Sequence, residues 1–174
     1  MKAIYVIVFA GIFLLTSCGQ NENNPKDQSG VKPPLESTEK SVPGIEKLNF
    51  TDTIRLKADE NMRFDTDLFR VRAGGKLRLI LINTGAKSKT SMTHNVVILA
   101  KGTDIADFAD AVHNAKDEQY VPSSVASLVI AHTKMVGGGE SDEVDFSIPL
   151  AGVYDFICSF PGHWGTMQGK IVAE

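Results

Sequence analysis

Ten consecutive residues near the C-terminus, Cys158-Ser159-Phe160-Pro161-Gly162-His163-Trp164-Gly165-Thr166-Met167, carry a thiol, an imidazole and a thioether at the spacing C-x4-H-x3-M. Thiolate and thioether are soft donors and imidazole is a borderline one, and together they suit copper better than a hard cation. Zinc fits less well. Its structural sites close with four Cys or His ligands, its catalytic sites keep a place for water, and neither uses a thioether. Pro161-Gly162 makes a turn that brings His163 back beside the thiolate. Taking three donors from one loop also keeps the entropy of closing the site low. One more imidazole would complete a His2Cys set with a weak axial Met, the donor set of electron-transfer copper.

Three histidines are available for that place: His94, His113 and His132. His113 falls at the end of a helical pattern among polar residues, and His132 lies at a strand end close to Lys134. Both positions suit a solvated ring. His94 follows a loop and closely precedes an apolar strand, so the core can anchor its backbone while the ring faces one end of the fold. His94 is favoured on this ground, with the other two left open.

The chain has 174 residues, a formal charge of −3 and no basic cluster, which argues against nucleic acid as a partner. Its N-terminus reads Met1-Lys2, then an apolar run from Ala3 to Leu15, then Thr16-Ser17-Cys18. A basic start and an apolar stretch too short to span a membrane comfortably form a signal peptide, expected over 1–17. The stretch closing on Cys18 resembles the lipobox of bacterial lipoproteins, which implies acylation of Cys18. Residues 18–48, polar and proline-containing with no aromatic side chain, read as a flexible membrane tether. The folded domain is expected over 49–174. Only two cysteines exist, so a lipidated Cys18 leaves Cys158 without a disulfide partner. A lone thiol in an oxidising compartment needs an occupant, and a metal would serve.

Within the domain the pattern is mainly of period two. Ile54, Leu56 and Ala58 alternate with Arg55 and Lys57. A second segment begins at Phe64 and runs through Leu68 to Arg72. Further strand signals lie at 77–82, 96–99, 128–131, 144–148, 152–158 and 170–173. Ile105, Phe108, Ala109 and Val112 instead follow helical spacing, with Thr103 as the expected cap. The expectation is an all-β sandwich or barrel of about eight strands with one short helical insertion.

These residues resemble the azurins, blue-copper proteins of the cupredoxin superfamily. The resemblance rests on Asn61 to Thr66, Met92-Thr93-His94-Asn95, Ile130 to Lys134, Gly137 to Glu140 with Val144-Asp145-Phe146, and Cys158 to His163 with Met167 and Gly169. It implies a Greek-key cupredoxin fold and one type 1 copper. His94, Cys158 and His163 would be the equatorial ligands, Met167 the axial one, and the Thr93 carbonyl would lie opposite it. Asn95 and Ser159 would tie the two ligand loops together, with the Asn95 and Phe160 amides donating to the sulfur. His163 would be the electron port, ringed by Met92, Phe160, Pro161 and Trp164. Asn83 stands where the family carries a buried titrating histidine, and Thr93 where it usually has glycine. The implied function is single-electron transfer, not enzymatic catalysis, between redox proteins such as c-type cytochromes or a terminal reductase or oxidase. The place implied is the bacterial cell envelope, lipid-anchored, periplasmic or on the outer surface. The alternative is a copper-binding module for delivery, which the scattered methionines disfavour.

Overall fold

The computed structural model describes residues 42–86 and 92–174; the expected signal peptide, Cys18 and the expected tether up to residue 41 lie outside them. Among the described residues, eight strands form two sheets. β1 (Thr53–Ala58), β3 (Lys76–Asn83) and β6 (Ser141–Ser147) make one, in the order β1-β3-β6. β2 (Leu68–Val71), β8 (Gln168–Ala173), β7 (Gly152–Ile157), β4 (Val97–Leu99) and β5 (Val129–His132) make the other, in that order. β1 pairs with β3 and β2 with β8 in parallel, while the other pairs are antiparallel. Parallel neighbours cannot be joined by a tight hairpin. The chain therefore passes from sheet to sheet between β1, β2 and β3, which is what makes a sandwich rather than a meander.

Alternation along the strands explains the core. Ile54, Leu56, Leu77, Leu79 and Leu81 face inward from the three-stranded sheet. They meet Val71, Ile98, Tyr154, Phe156 and Ile171 from the other. β4 reads as an unbroken apolar run because both of its faces are covered. Ile98 joins the inter-sheet core, whereas Val97 and Leu99 join a second cluster with Phe108, Val112, Val125 and Ile157. That second cluster lies under the helical insertion, α1 (Ile105–Val112), whose buried residues are Phe108, Ala109 and Val112.

Two local expectations need correction. The cap of α1 is Asp104 and not Thr103: the Asp104 carboxylate accepts the Asp107 N–H at 3.0 Å. The Thr103 N–H instead closes a turn onto the Ala100 carbonyl at 3.1 Å. β2 begins at Leu68 rather than Phe64, which forms only an isolated bridge with Ala58. The Asp65 carboxylate accepts the Lys57 N–H at 2.8 Å, so a side chain occupies the place of the next ladder bond. Packing also reaches upstream of Phe50, since Ile45 in the 3-10 turn Ile45–Lys47 is buried.

The pairing brings three connections to one end of the sandwich. Ile157 pairs with both Val97 and Gln168, so the segments leading from His94 into β4 and from Cys158 to Met167 start side by side. The β5–β6 connection joins them through a bridge between His94 and Val136. Gly169 lies beside this end in β8, opposite Phe156. A Cβ there would clash with the Asp67 carbonyl and with the Phe156 ring, whose Cε1 would be 2.7 Å away. Gly169→Ala is therefore expected to destabilise the domain by about 1–3 kcal/mol, since neither backbone nor a packed ring yields easily. Urea unfolding of the two proteins measures it.

Candidate metal centre

The donor atoms of His94, Cys158 and His163 all lie within 4.8 Å of one another, and all three residues are buried. The Cys158 sulfur is 3.7 Å from His163 Nδ1, and the two imidazole rings have centroids 5.1 Å apart. Each donor is delivered by backbone contacts. The His94 N–H donates to the Val136 carbonyl at 3.1 Å and the His94 carbonyl accepts the Val136 N–H at 2.9 Å. Cys158 follows β7 directly, and its N–H donates to the Met167 carbonyl at 2.9 Å. Gly162, with φ of 84°, takes the left-handed backbone that the turn after Pro161 requires. The His163 N–H then returns to the Phe160 carbonyl at 3.0 Å, and His163 offers its own carbonyl to the Met167 N–H at 2.9 Å.

The two ligand segments are locked to each other. Asn95 Nδ2 donates to Ser159 Oγ and the Ser159 N–H donates to Asn95 Oδ1, each at 2.9 Å and each buried. On the other side of His94, Thr133 Oγ1 accepts the Val96 N–H at 3.0 Å while the Thr133 N–H donates to the Val96 carbonyl at 3.0 Å.

The site is unfinished as a purely organic structure. Both ring nitrogens of His94 are buried without a hydrogen-bond partner. A buried polar atom left unmatched is costly and rare, and a metal ion is one of the things that resolves it. Burial lowers the pKa of His94, opposed by the Asp59 carbonyl and carboxylate, neither of which completes a hydrogen bond to the ring. Burial, then the proximity of His94, lowers His163 to about 4. Burial pushes the Cys158 thiol up to about 11, against the pull of the Asn95 and Phe160 amides. Two neutral imidazoles and a desolvated thiol with amide donors at hand suit a soft or borderline cation that displaces the thiol proton.

A family model described as copper binding proteins of the plastocyanin/azurin family matches residues 52–174. The chain belongs to that family. It is 34% identical to azurin of Alcaligenes faecalis over 122 residues, covering 68% of this chain and 94% of the relative. It is 41% identical to outer membrane protein H.8 of Neisseria gonorrhoeae over 120 residues, covering 67% of this chain and 64% of that protein's length. Its fold matches a dithionite-reduced auracyanin of Roseiflexus castenholzii with a TM-score of 0.64 at 30% identity, covering 72% of this chain and 99% of that one. Auracyanin A of Chloroflexus aurantiacus, a "blue" copper protein, matches with a TM-score of 0.63 at 31% identity, covering 72% and 100%. The chain is an azurin-like cupredoxin, and its His94–Cys158–His163 cluster is compatible with one type 1 copper.

Of the residues singled out by spacing, this azurin-like fold gathers His94, Cys158, His163 and Met167 at one end. Met167 is fully buried in the same core cluster as Cys158. His113 and His132 are exposed. Thr93 is buried beside His94, while Met92, Phe160, Pro161 and Trp164 are half-buried. Trp164 packs against the cluster under α1. Asn83 is buried and satisfied, donating to the Val136 carbonyl at 3.1 Å and accepting the Gly85 N–H at 3.0 Å. Sequence patterns did not single out Thr133, Gln119 or Tyr120 as neighbours of the site, because nothing in their local spacing marks a contact made across the fold.

Two outcomes follow from this geometry. Asn95→Leu strands the Ser159 N–H in a buried place and is expected to cost about 1–3 kcal/mol of stability, read by chemical unfolding of the metal-free protein. His163 stays neutral in the folded state to about pH 4, whereas an unfolded imidazole takes a proton near pH 6.5. The unfolded state thus binds more protons below that value, and stability present at neutral pH is lost as pH falls from about 6.5 toward 4. The metal-free protein should melt at lower temperature across that window, with a smaller drop in His163→Gln, measured by circular dichroism.

Proposed function

We propose that this protein is a single-electron carrier built on one type 1 copper, which His94, Cys158, His163 and Met167 would hold. The observation that carries this is the closed, buried donor set, in which an imidazole lacks any protein partner for either ring nitrogen. Copper, when bound, would supply a reversible one-electron change between Cu(II) and Cu(I).

The residues around it have separate tasks. Cys158 binds as thiolate, favoured by the Asn95 and Phe160 amides. His94 and His163 are held neutral by burial and so keep a lone pair free. Met167, buried in the same cluster as Cys158, and the carbonyl of Thr93, buried beside His94, would be further donors to the ion. The Asn95–Ser159 lock keeps both ligand segments in place whichever oxidation state is present, which favours a small rearrangement on each transfer. Four protein donors leave no position for a substrate, which supports carriage rather than catalysis.

Electrons would enter and leave through His163, whose ring lies against Phe160, and the half-buried Met92, Pro161 and Trp164 would extend a weakly charged, partly apolar rim. Such a rim suits short encounters with redox proteins, c-type cytochromes or a terminal reductase or oxidase among them. The lipobox-like Cys18 and the polar stretch after it support anchoring in the bacterial cell envelope through a lipid. Likeness to azurin and to an outer membrane protein supports the same location. A delivery module is less well supported, since its ligands should be open to exchange and these are buried.

Copper(II) titration is expected to load one ion per chain with an intense visible thiolate-to-copper band. It should also quench the fluorescence of Trp164, the single tryptophan, which adjoins His163. Cys158→Ser should abolish the band. A colourless complex of wild-type protein with one copper(II) would rule out the electron-carrier assignment.

A further inference from the structure

Among the described residues, Met62, Gln119 and Tyr120 are the non-glycine residues with positive φ, at 57°, 54° and 58°. L-residues rarely adopt this backbone, bulky ones least of all, and it persists where surrounding contacts hold it. Met62 and Tyr120 touch the loop that carries Cys158, His163 and Met167, and Gln119 touches the connection bridged to His94. The Met62 carbonyl accepts Thr166 Oγ1 at 2.9 Å, within the Cys158–Met167 loop.

Gln119 and Tyr120 lie together where the chain leaves the helical insertion, just after the 3-10 turn Lys116–Glu118. Their side chains reach two different places: the β5–β6 connection that braces His94 and the loop that carries His163. Gln119 Oε1 accepts the Met135 N–H at 2.9 Å. The next residue, Val136, is the one bridged to His94 by two backbone hydrogen bonds. The Tyr120 ring meets Phe160 edge-on at 5.3 Å, and the Phe160 ring lies 4.5 Å from that of His163. The His94 ring completes no hydrogen bond, although the Asp59 carbonyl lies near it, so its firmest attachment is the pair of backbone bonds to Val136. His163 depends in turn on the tilted Phe160 ring packed against it.

We propose that the Gln119–Tyr120 turn is a positioning clamp for the metal centre. It sets the placement of His94 through Met135–Val136 and of His163 through Phe160, from outside both ligand loops. The proposal rests on the ligand assignment made above. It gives the insertion a second role besides covering β4: of two adjacent left-handed residues, one sends its side chain to the connection that braces His94 and the other to the loop that carries His163, so both are referred to a single turn. Ordinary right-handed or extended backbone at these positions would turn the two side chains elsewhere.

The test compares copper-loaded wild-type protein with Tyr120→Phe, Tyr120→Leu and Gln119→Leu. Visible and EPR spectra, reduction potential and copper affinity are recorded, together with thermal unfolding of each metal-free protein. Tyr120→Phe keeps the ring and should match wild type. Tyr120→Leu and Gln119→Leu should shift the band and the potential and lose copper affinity by about 10-fold to 100-fold, the range seen when groups that orient metal ligands are changed. Leu variants that melt lower without metal yet keep the wild-type spectrum, potential and affinity would overturn the clamp, leaving the turn a support of the fold alone. Should Tyr120→Leu fail to fold, Gln119→Leu, which removes a single acceptor, decides the matter. A wild-type protein lacking the visible band would count against the electron-carrier assignment instead, while the affinity ratio between variants would still test the clamp.

Discussion

The end of the fold that matters here is governed by one constraint: a thiol and two imidazoles have been taken out of water into a place where the protein does not satisfy them all. Burial raises Cys158 and lowers both histidines, so each is held in its neutral form. Neutral imidazole is ready to donate a lone pair, but a neutral thiol is not, and the desolvation of its anion must be offset by a cation. The amides of Asn95 and Phe160 give part of that compensation. The rest is left to a metal, which explains why a hydrophobic sandwich tolerates His94 with two unmatched nitrogens at its edge.

Such a site needs a frame that does not relax when it is empty or when its charge changes. The frame is the meeting of two sheets at one end. β7 and β8 bracket the loop that carries Cys158, His163 and Met167, and the segment leading into β4 carries His94 beside it. The Asn95–Ser159 pair joins the two through side chain and backbone together, so neither loop moves without breaking a buried hydrogen bond. Thr133 and Val136 brace the His94 segment from a third direction. The insertion with α1, which adds an apolar cluster on the outer face of the larger sheet, reaches the same end through Gln119 and Tyr120. Core packing and ligand geometry are thus parts of one structure.

Periodicity made the architecture legible. Strict alternation in β1, β3 and β7 and the 3–4 spacing of Ile105, Phe108, Ala109 and Val112 give the correct element types, because both patterns are local consequences of one face being buried. Boundaries were less legible where side chains compete with the backbone. Asp65 takes a ladder position and postpones β2, and Asp104 rather than Thr103 caps α1. Those outcomes depend on which of two adjacent polar side chains reaches a free N–H, and composition does not distinguish them. The donor types and their spacing within the Cys158–Met167 loop were equally legible, since a single loop holds three of them.

The sequence by itself determined the softness of the donor set, the loop that carries most of it, the class of fold and the absence of a second cysteine in the domain. Tertiary structure decided which histidine joins the others, how the two loops lock, and that a turn in the insertion contacts one of them and the connection that braces the other. The reason is physical. Burial patterns repeat over two to four residues and can be read along the chain, whereas the approach of Asn95 to Ser159 spans 64 residues. A distance of that kind is fixed by the pairing of strands and the crossing between sheets, not by any property of the residues taken in order.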